Sequence, residues 1–366
     1  GIGGTGTITY AWSNGQTGAT ATNLHAGGYS VTATDENGCT AQASTSISDP
    51  NGLIFETILV TNVTCNVLIG LDEVFKLFEP DIVLVHGDTT TTMAACIASY
   101  YNKIQVYHIE AGLRTGNIYS PWPEEVNRCL ASVICNYHFA PTQNAMDNLL
   151  NEGVSKNRIF ITGNTVIDAL KGIVKRIEQN KTLLKSLENN FSYLNRDKKI
   201  ILVTGHRREN FGEGFENICE ALKMISEIND DVEIVYPVHL NPNVQSTVNR
   251  ILGNNDKIQL IDPLDYLPFV YMMNISKLLI TDSGGVQEEA PSLGKPVLLI
   301  RDTTERPEAV DAGTVKLVGK DKNKIILETK NLLEDKDAYE SMAKKHNPYG
   351  DGKAANRIVS TLLNIN

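Results

Sequence analysis

Two carboxylates sit where apolar runs of this chain end, and a third follows on the next loop. Asp88 follows DIVLV, Glu110 follows IQVYHI, and Glu124 lies on the next loop. Both runs are β-rich and bounded by polar turns, with a helical segment between them, so the unit reads as strand, helix, strand. In a doubly wound sheet, ligands bind outside the carboxyl ends of the strands. Three acids at one sheet edge repel one another, and the arrangement is costly unless it does chemistry.

A second set of residues suits an anion. In LLITDSGGVQEEA an apolar strand ends, Ser283, Gly284 and Gly285 turn, and a helix opens. Glycines let a ligand approach the backbone, and a helix N-terminus offers free N–H groups and partial positive charge, so a diphosphate fits. An ordinary strand–helix turn is the alternative. Glu289, one turn further, can accept from two ribose hydroxyls or be a solvated helix acid. Arg306 in RDTTERPE can pair with phosphate or form a surface ion pair. His206 in TGHRREN closes a strand beside two arginines, where nearby cations lower its pKa. It reads as a phosphate ligand or proton donor, or as a structural histidine. Phe269 and Leu264 flank a loop–helix start and can sandwich a base ring or simply pack in the core.

The elements that position these residues follow from pattern. From about residue 51, apolar strands alternate with helical stretches, among them KKIILVTGH, VEIVYPVH, KIQLI and KLLITDSGG. That alternation predicts α/β architecture with a parallel sheet in each half. The charged run from Lys175 to Lys199 reads as a polar hinge with helical patches. Residues 1–50 differ: they hold no Lys or Arg, and ten Thr and nine Gly. The alternating runs TITYAW and YSVTAT, with turns at SNGQ and DENGC, predict a short antiparallel β segment.

With 366 residues and 42% hydrophobic content, two domains and an appendage are expected. A net charge of −10 argues against nucleic acid or an anionic membrane as the main partner. Six cysteines without a CxxC argue against a disulfide framework or zinc site. No apolar run approaches the ~18 residues of a membrane span. No signal peptide is visible and the chain lacks an initiator Met, so a fragment is expected.

Taken together, HGDTTTT, HIEAGLRTGNIYSPWPEEVNR, ITGNTVIDAL, TGHRREN, VYPVHLNPNV, LIDPLDYLPF, TDSGGVQEEAPSLGKPVL, RDTTERPEAV and HNPYGDG resemble the bacterial non-hydrolysing UDP-N-acetylglucosamine 2-epimerases over roughly residues 60–363. The resemblance implies two Rossmann-like domains facing across a cleft, as in GT-B glycosyltransferases. It implies reversible C2 epimerisation of UDP-N-acetylglucosamine to UDP-N-acetylmannosamine, by elimination of UDP and a 2-acetamidoglucal intermediate, with no metal or other cofactor. Asp88, Glu110, Glu124 and His206 match the family's catalytic positions. Leu264, Phe269, Ser283, Gly284, Gly285, Glu289 and Arg306 match its UDP-sugar-binding positions. Among the clustered acids, one protonated and one ionised member are expected. A cytoplasmic homodimer serving polysaccharide biosynthesis is also implied.

One departure matters. The family opens with a strand and a GTRPE loop that contacts the diphosphate, and neither is present here. YAWSNGQTG, LHAGGYSVTATDENGCTA and SISDP resemble instead a β repeat of secreted bacterial surface adhesins. The expected organisation is therefore an adhesin-like repeat at 1–50, an incomplete first Rossmann-like domain at 51–185 with DIVLV as an exposed edge, and a UDP-binding domain at 186–366 ending in a helix. It reads as an N-terminal truncation fused to that repeat. The alternative function is a catalytically defective UDP-binding homologue. A GT-B glycosyltransferase fits less well, because it needs an acceptor base rather than several acids at C2.

Overall fold

The structure, a computed structural model, describes residues 6–22, 27–47, 53–205, 207 and 212–365. It divides into two compact units, Gly1–Gly70 and Leu71–Asn366. In the first, β1 (Thr9–Trp12), β2 (Gly27–Thr34) and β3 (Thr40–Ile47) form an antiparallel sheet in that order. DENGC makes the β2–β3 turn. The Asp35 carboxylate accepts from the N–H groups of Asn37 and Cys39, and Gly38 takes φ +78°. Helix α1 (Leu53–Phe78) follows.

The second unit holds two parallel sheets. The first is built from β4 (Ile82–His86), α2 (Thr90–Tyr101), β5 (Gln105–Ile109), α3 (Glu124–Ile134), β6 (Tyr137–Ala140), α4 (Gln143–Asn151) and β7 (Ile159–Ile161). Its strands lie in chain order, so β4 is an edge of this sheet. Ile82 and Leu84 on that edge are 39% and 49% exposed, which marks it as an uncovered apolar strand. Thr89 and Thr142 cap α2 and α4 by accepting from first-turn N–H groups. Val85, Val106, Cys96 and Ala131 form a core between the sheet and α2 and α3.

After α5 (Thr165–Gln179) and α6 (Lys181–Asn190) comes the second sheet. Its elements are β8 (Lys199–Thr204), α7 (Glu213–Ile228), β9 (Val232–Pro237), α8 (Pro242–Leu252), β10 (Ile258–Ile261), α9 (Tyr266–Ile275), β11 (Leu278–Thr281), α10 (Gly284–Ser292), β12 (Val297–Leu299), α11 (Pro307–Asp311) and β13 (Val315–Leu317). Helices α12 (Lys322–Glu334), α13 (Lys336–Ala343) and α14 (Ala354–Leu362) complete the chain. The strand order β10-β9-β8-β11-β12-β13 is that of a doubly wound dinucleotide fold, with its switch point between β8 and β11. Alternate residues of β8 feed two cores. Ile201 and Val203 pack with α7, α8 and α12, while Ile200 and Leu202 pack with α5, α6, α9 and α10. Burial on both faces is why these strands are continuously apolar.

Three sequence expectations change. The charged run from Lys175 is no hinge: α5, α6 and the turn after α6 bury Ile177, Leu187, Phe191 and Leu194 against the six-stranded sheet. Its charges cover the outer faces of helices whose apolar stripe is inward. The terminal helix α14 packs on the four-stranded sheet, where Ile358 meets Tyr107 and Phe139. Glu124 begins α3 rather than lying in a loop.

Candidate active site

Backbone geometry delivers the first two acids. β4 ends at His86, and Gly87 turns the chain with φ +70°, its N–H donating to Ile109 O at 3.0 Å. His108, fully buried, holds the same turn through Nε2 and Gly87 O at 2.7 Å. Burial pushes the His108 imidazole down to about 3, so the ring is neutral there. Glu110 adopts φ +64°, a left-handed conformation that residues with a side chain rarely take and that gathers at functional sites.

Arg128 joins these acids. It is 4% exposed and reaches them from the second turn of α3. Its Nη1 donates to Glu110 O at 2.7 Å, and its Nη2 donates to the Asp88 carboxylate and lies 3.4 Å from Glu110 Oε1. Asn127 donates to Asp88 O at 2.9 Å. Burial pushes the Glu110 carboxyl up, but Arg128, Arg306 and His86 together outweigh it and hold it below its ordinary value. Glu124 occupies the first turn of the same helix. Its Oε2 is buried and makes no hydrogen bond among the described residues, which leaves it free for a ligand. Its neighbour Glu125 is occupied, accepting from the N–H groups of Thr115 and Gly116 and shaping the loop before α3.

The other wall lies at the switch point of the six-stranded sheet. The ends of β8 and β11 are tied by Thr204 and Thr281, whose hydroxyls are 2.5 Å apart, and by Asp282 N donating to Thr204 O. Ser283 is the N-cap of α10 but makes no side-chain cap bond, so α10 opens with first-turn N–H groups its cap leaves unclaimed. Gly284 leaves room for Arg306: a Cβ there would meet Arg306 Nη1 at 2.5 Å. Arg306 pairs with Glu288 and, at 2.5 Å, with Glu305, which Arg301 also holds at 2.7 Å. Burial pushes Glu305 up, yet Arg306 and Arg301 bring it down to about 2.

One side chain connects the two walls. Asn164, the N-cap of α5, donates through Nδ2 to Glu110 Oε2 at 2.9 Å and to Glu288 Oε2 at 2.5 Å. The four-stranded sheet's acids and the six-stranded sheet's arginine therefore belong to one buried network. Within this network the carboxyl that burial raises above its ordinary value is Glu288, pushed up to about 7. It is not one of the three acids named from sequence.

Glu289 is buried at 6% exposure and accepts from the Tyr266 hydroxyl at 2.6 Å, so it is not a solvated helix acid. Arg306 likewise is no surface ion pair. Leu264 and Phe269 are half-buried against the core that contains α9 and α10. His206 lies outside the described residues. Arg128, Asn164, Glu288 and Tyr266 are the members that sequence reasoning missed. All four stand inside the quoted motifs; Glu288 is next to Glu289, Tyr266 lies between Leu264 and Phe269, Arg128 is one helical turn from Glu124, and Asn164 has no candidate beside it.

Residues 52–363 match the family described as UDP-N-acetylglucosamine 2-epimerase. The chain is 59% identical over 305 residues to UDP-N-acetylglucosamine 2-epimerase of Yersinia pestis, and 58% identical over 305 residues to that of Escherichia coli O157:H7. Each alignment covers 83% of this chain and 81% of the relative. The crystal structure of UDP-GlcNAc 2-epimerase from Neisseria meningitidis bound to UDP-GlcNAc superposes with a TM-score of 0.80 at 50% identity, covering 84% of this chain and 82% of that one. With these sheets, this switch point and these relatives, the chain belongs to the UDP-N-acetylglucosamine 2-epimerase family.

Proposed function

We propose that the protein interconverts UDP-N-acetylglucosamine and UDP-N-acetylmannosamine by inversion at C2 of the sugar. A carboxylate takes the C2 proton while the C1–O bond to UDP breaks, leaving 2-acetamidoglucal and UDP. Return of a proton to the opposite face and re-formation of the C1–O bond gives the epimer. The C2 proton is weakly acidic, so base and leaving-group stabilisation must act together. The observation that carries this reading is the Asn164 bridge, which links acids to a phosphate-binding arginine in one network.

Asp88, Glu110 and Glu124 are the proton-transfer acids. Glu110, held ionised, suits a base, and the buried unbonded oxygen of Glu124 suits a contact made only with substrate. Two faces of C2 require more than one acid. Ser283, Gly284 and Gly285 receive the diphosphate at the start of α10, with Arg306 and His206 stabilising charge as UDP departs. Glu289, oriented by Tyr266, accepts from the ribose hydroxyls, and Leu264 and Phe269 enclose the uracil.

Residues 1–50 act as an adhesin-like β repeat joined to the enzyme, a boundary supported by the family match from residue 52. Residues 51–185 and 186–366 are the two catalytic domains, with α5, α6 and α14 packing across the division. The working form is a cytoplasmic homodimer, as the family resemblance implies. Chromatography of a reaction started with UDP-N-acetylglucosamine tests the reading. Appearance of UDP-N-acetylmannosamine supports it, and UDP-N-acetylglucosamine unchanged at high enzyme concentration would refute it.

A further inference from the structure

Glu288 is a buried acid that the proposed chemistry does not use. It is 1% exposed and lies in the middle of α10, with its carboxylate held at both ends. Oε1 accepts from Arg306 Nε, and Oε2 accepts from Asn164 Nδ2, the atom that also serves Glu110. Its backbone is fixed as well, since Asn347 donates to Glu288 O at 2.6 Å. Arg306 is thus the one cation in contact with Glu288 among the described residues, and it is shared with Glu305.

The groups facing Glu288 can be taken element by element. From the end of β5 comes Glu110, an acid, with Arg128 behind it. From α5 comes Asn164, which is neutral. From the segment before α11 come Arg306 and Glu305. From the loop before α14 comes Tyr349, whose hydroxyl bonds Glu308. Glu288 therefore keeps its charge through Arg306 against two neighbouring acids. Arg306 Nη1 also stands against Gly284, at the place where α10 offers N–H groups to an anion. A diphosphate there competes for the cation that Glu288 depends on.

We propose that Glu288 is a positioning residue that holds Arg306 ready in the nucleotide-free protein and takes up a proton when a nucleoside diphosphate claims that arginine. The carboxylate of Glu288 becomes a carboxylic acid, with the proton drawn from solvent. The protonated form keeps Asn164 as donor to one oxygen and gains an O–H donor on the other. That proton offsets one of the negative charges that the diphosphate brings into the buried cluster. Burial, which already raises Glu288 to about 7, sets the direction of the response. The proposal rests on the reading that UDP binds at the start of α10.

The test is calorimetric titration of the full chain with UDP at about pH 8, in buffers of differing ionisation enthalpy. The phosphate of UDP is then fully ionised, because its second pKa is about 6. Wild type is expected to take up close to one proton per UDP bound, and Glu288→Gln to bind UDP with uptake reduced several-fold. Difference infrared spectra of the wild type should gain a protonated-carboxyl band on UDP binding. This reading needs no variant to fold. UDP binding without proton uptake or that band overturns the proposal alone, as does full uptake in a folded Glu288→Gln protein. Failure of wild type to bind UDP overturns the nucleotide-site reading, and the proposal with it.

Discussion

Arg128→Met is the sharpest test of how the acids are held. The substitution keeps an apolar stem and removes the guanidinium, whose bonds run to the Asp88 carboxylate, Glu110 Oε1 and Glu110 O. Arg128 is 4% exposed, and the Glu110 and Asp88 side chains are 13% and 26% exposed. Breaking a buried pair by removing one partner costs about 3–5 kcal/mol, because the remaining charge is left uncompensated. At about 2–4 °C per kcal/mol for a domain of this size, Tm should fall by roughly 6–20 °C. The loss should also depend on pH. The folded pKa of Glu110 lies below its ordinary value, so it contributes stability that is present at neutral pH and lost as pH falls through the folded value. Without Arg128 that folded value rises. The gap between the two proteins is therefore widest near neutral pH and narrows below about pH 4, where the carboxylates of the unfolded chain also protonate. Thermal melts of both proteins across that range supply the assay. A loss below about 1 kcal/mol, or a gap that does not shrink in acid, would refute the account of Arg128 as a buried counter-ion.

Asp88→Asn should abolish proton exchange at C2 while UDP binding, followed by calorimetry, is largely kept; lost UDP binding would instead give Asp88 a structural role. Tyr266→Phe removes the hydroxyl bonded to Glu289 at 2.6 Å. KM for UDP-N-acetylglucosamine should rise about tenfold with kcat changed little, the mark of lost uniform binding; a fall in kcat alone would contradict the ribose assignment. Gly112→Ala should destabilise by more than about 3 kcal/mol in denaturant unfolding. Gly112 has φ +89°, and a Cβ there would meet Ala145 O at 2.1 Å. A near-neutral result would show that the loop after β5 can move.

Much of the architecture was legible because each element carries its own local signal. The apolar runs of β8, β9 and β11 are continuous because helices cover both faces of the sheet. Ser283, Gly284 and Gly285 marked a strand–helix turn, and they lie at the switch point. Asp88 and Glu110 were readable from the strands they follow. What stayed hidden depends on contacts between distant segments. Asn164 and Glu288 are 124 positions apart, and nothing in their types or spacing says that they meet. Glu124 and Glu125 are identical neighbours. Only the fold shows that one grips backbone N–H groups and the other keeps a buried oxygen unbonded. The run from Lys175 misled because outward charges outnumber the few apolar residues that anchor α5 and α6. The reversal of α14 onto the four-stranded sheet is a tertiary choice that an amphipathic pattern cannot specify.

The central claim is that this chain removes and returns the C2 proton of a UDP-N-acetylhexosamine. Incubating it with UDP-N-acetylglucosamine in deuterated water and following C2 by NMR tests that claim most directly. Loss of the C2 proton signal together with growth of C2-deuterated UDP-N-acetylmannosamine is the predicted result. A C2 proton that persists, with no second epimer formed while UDP binds, would contradict it.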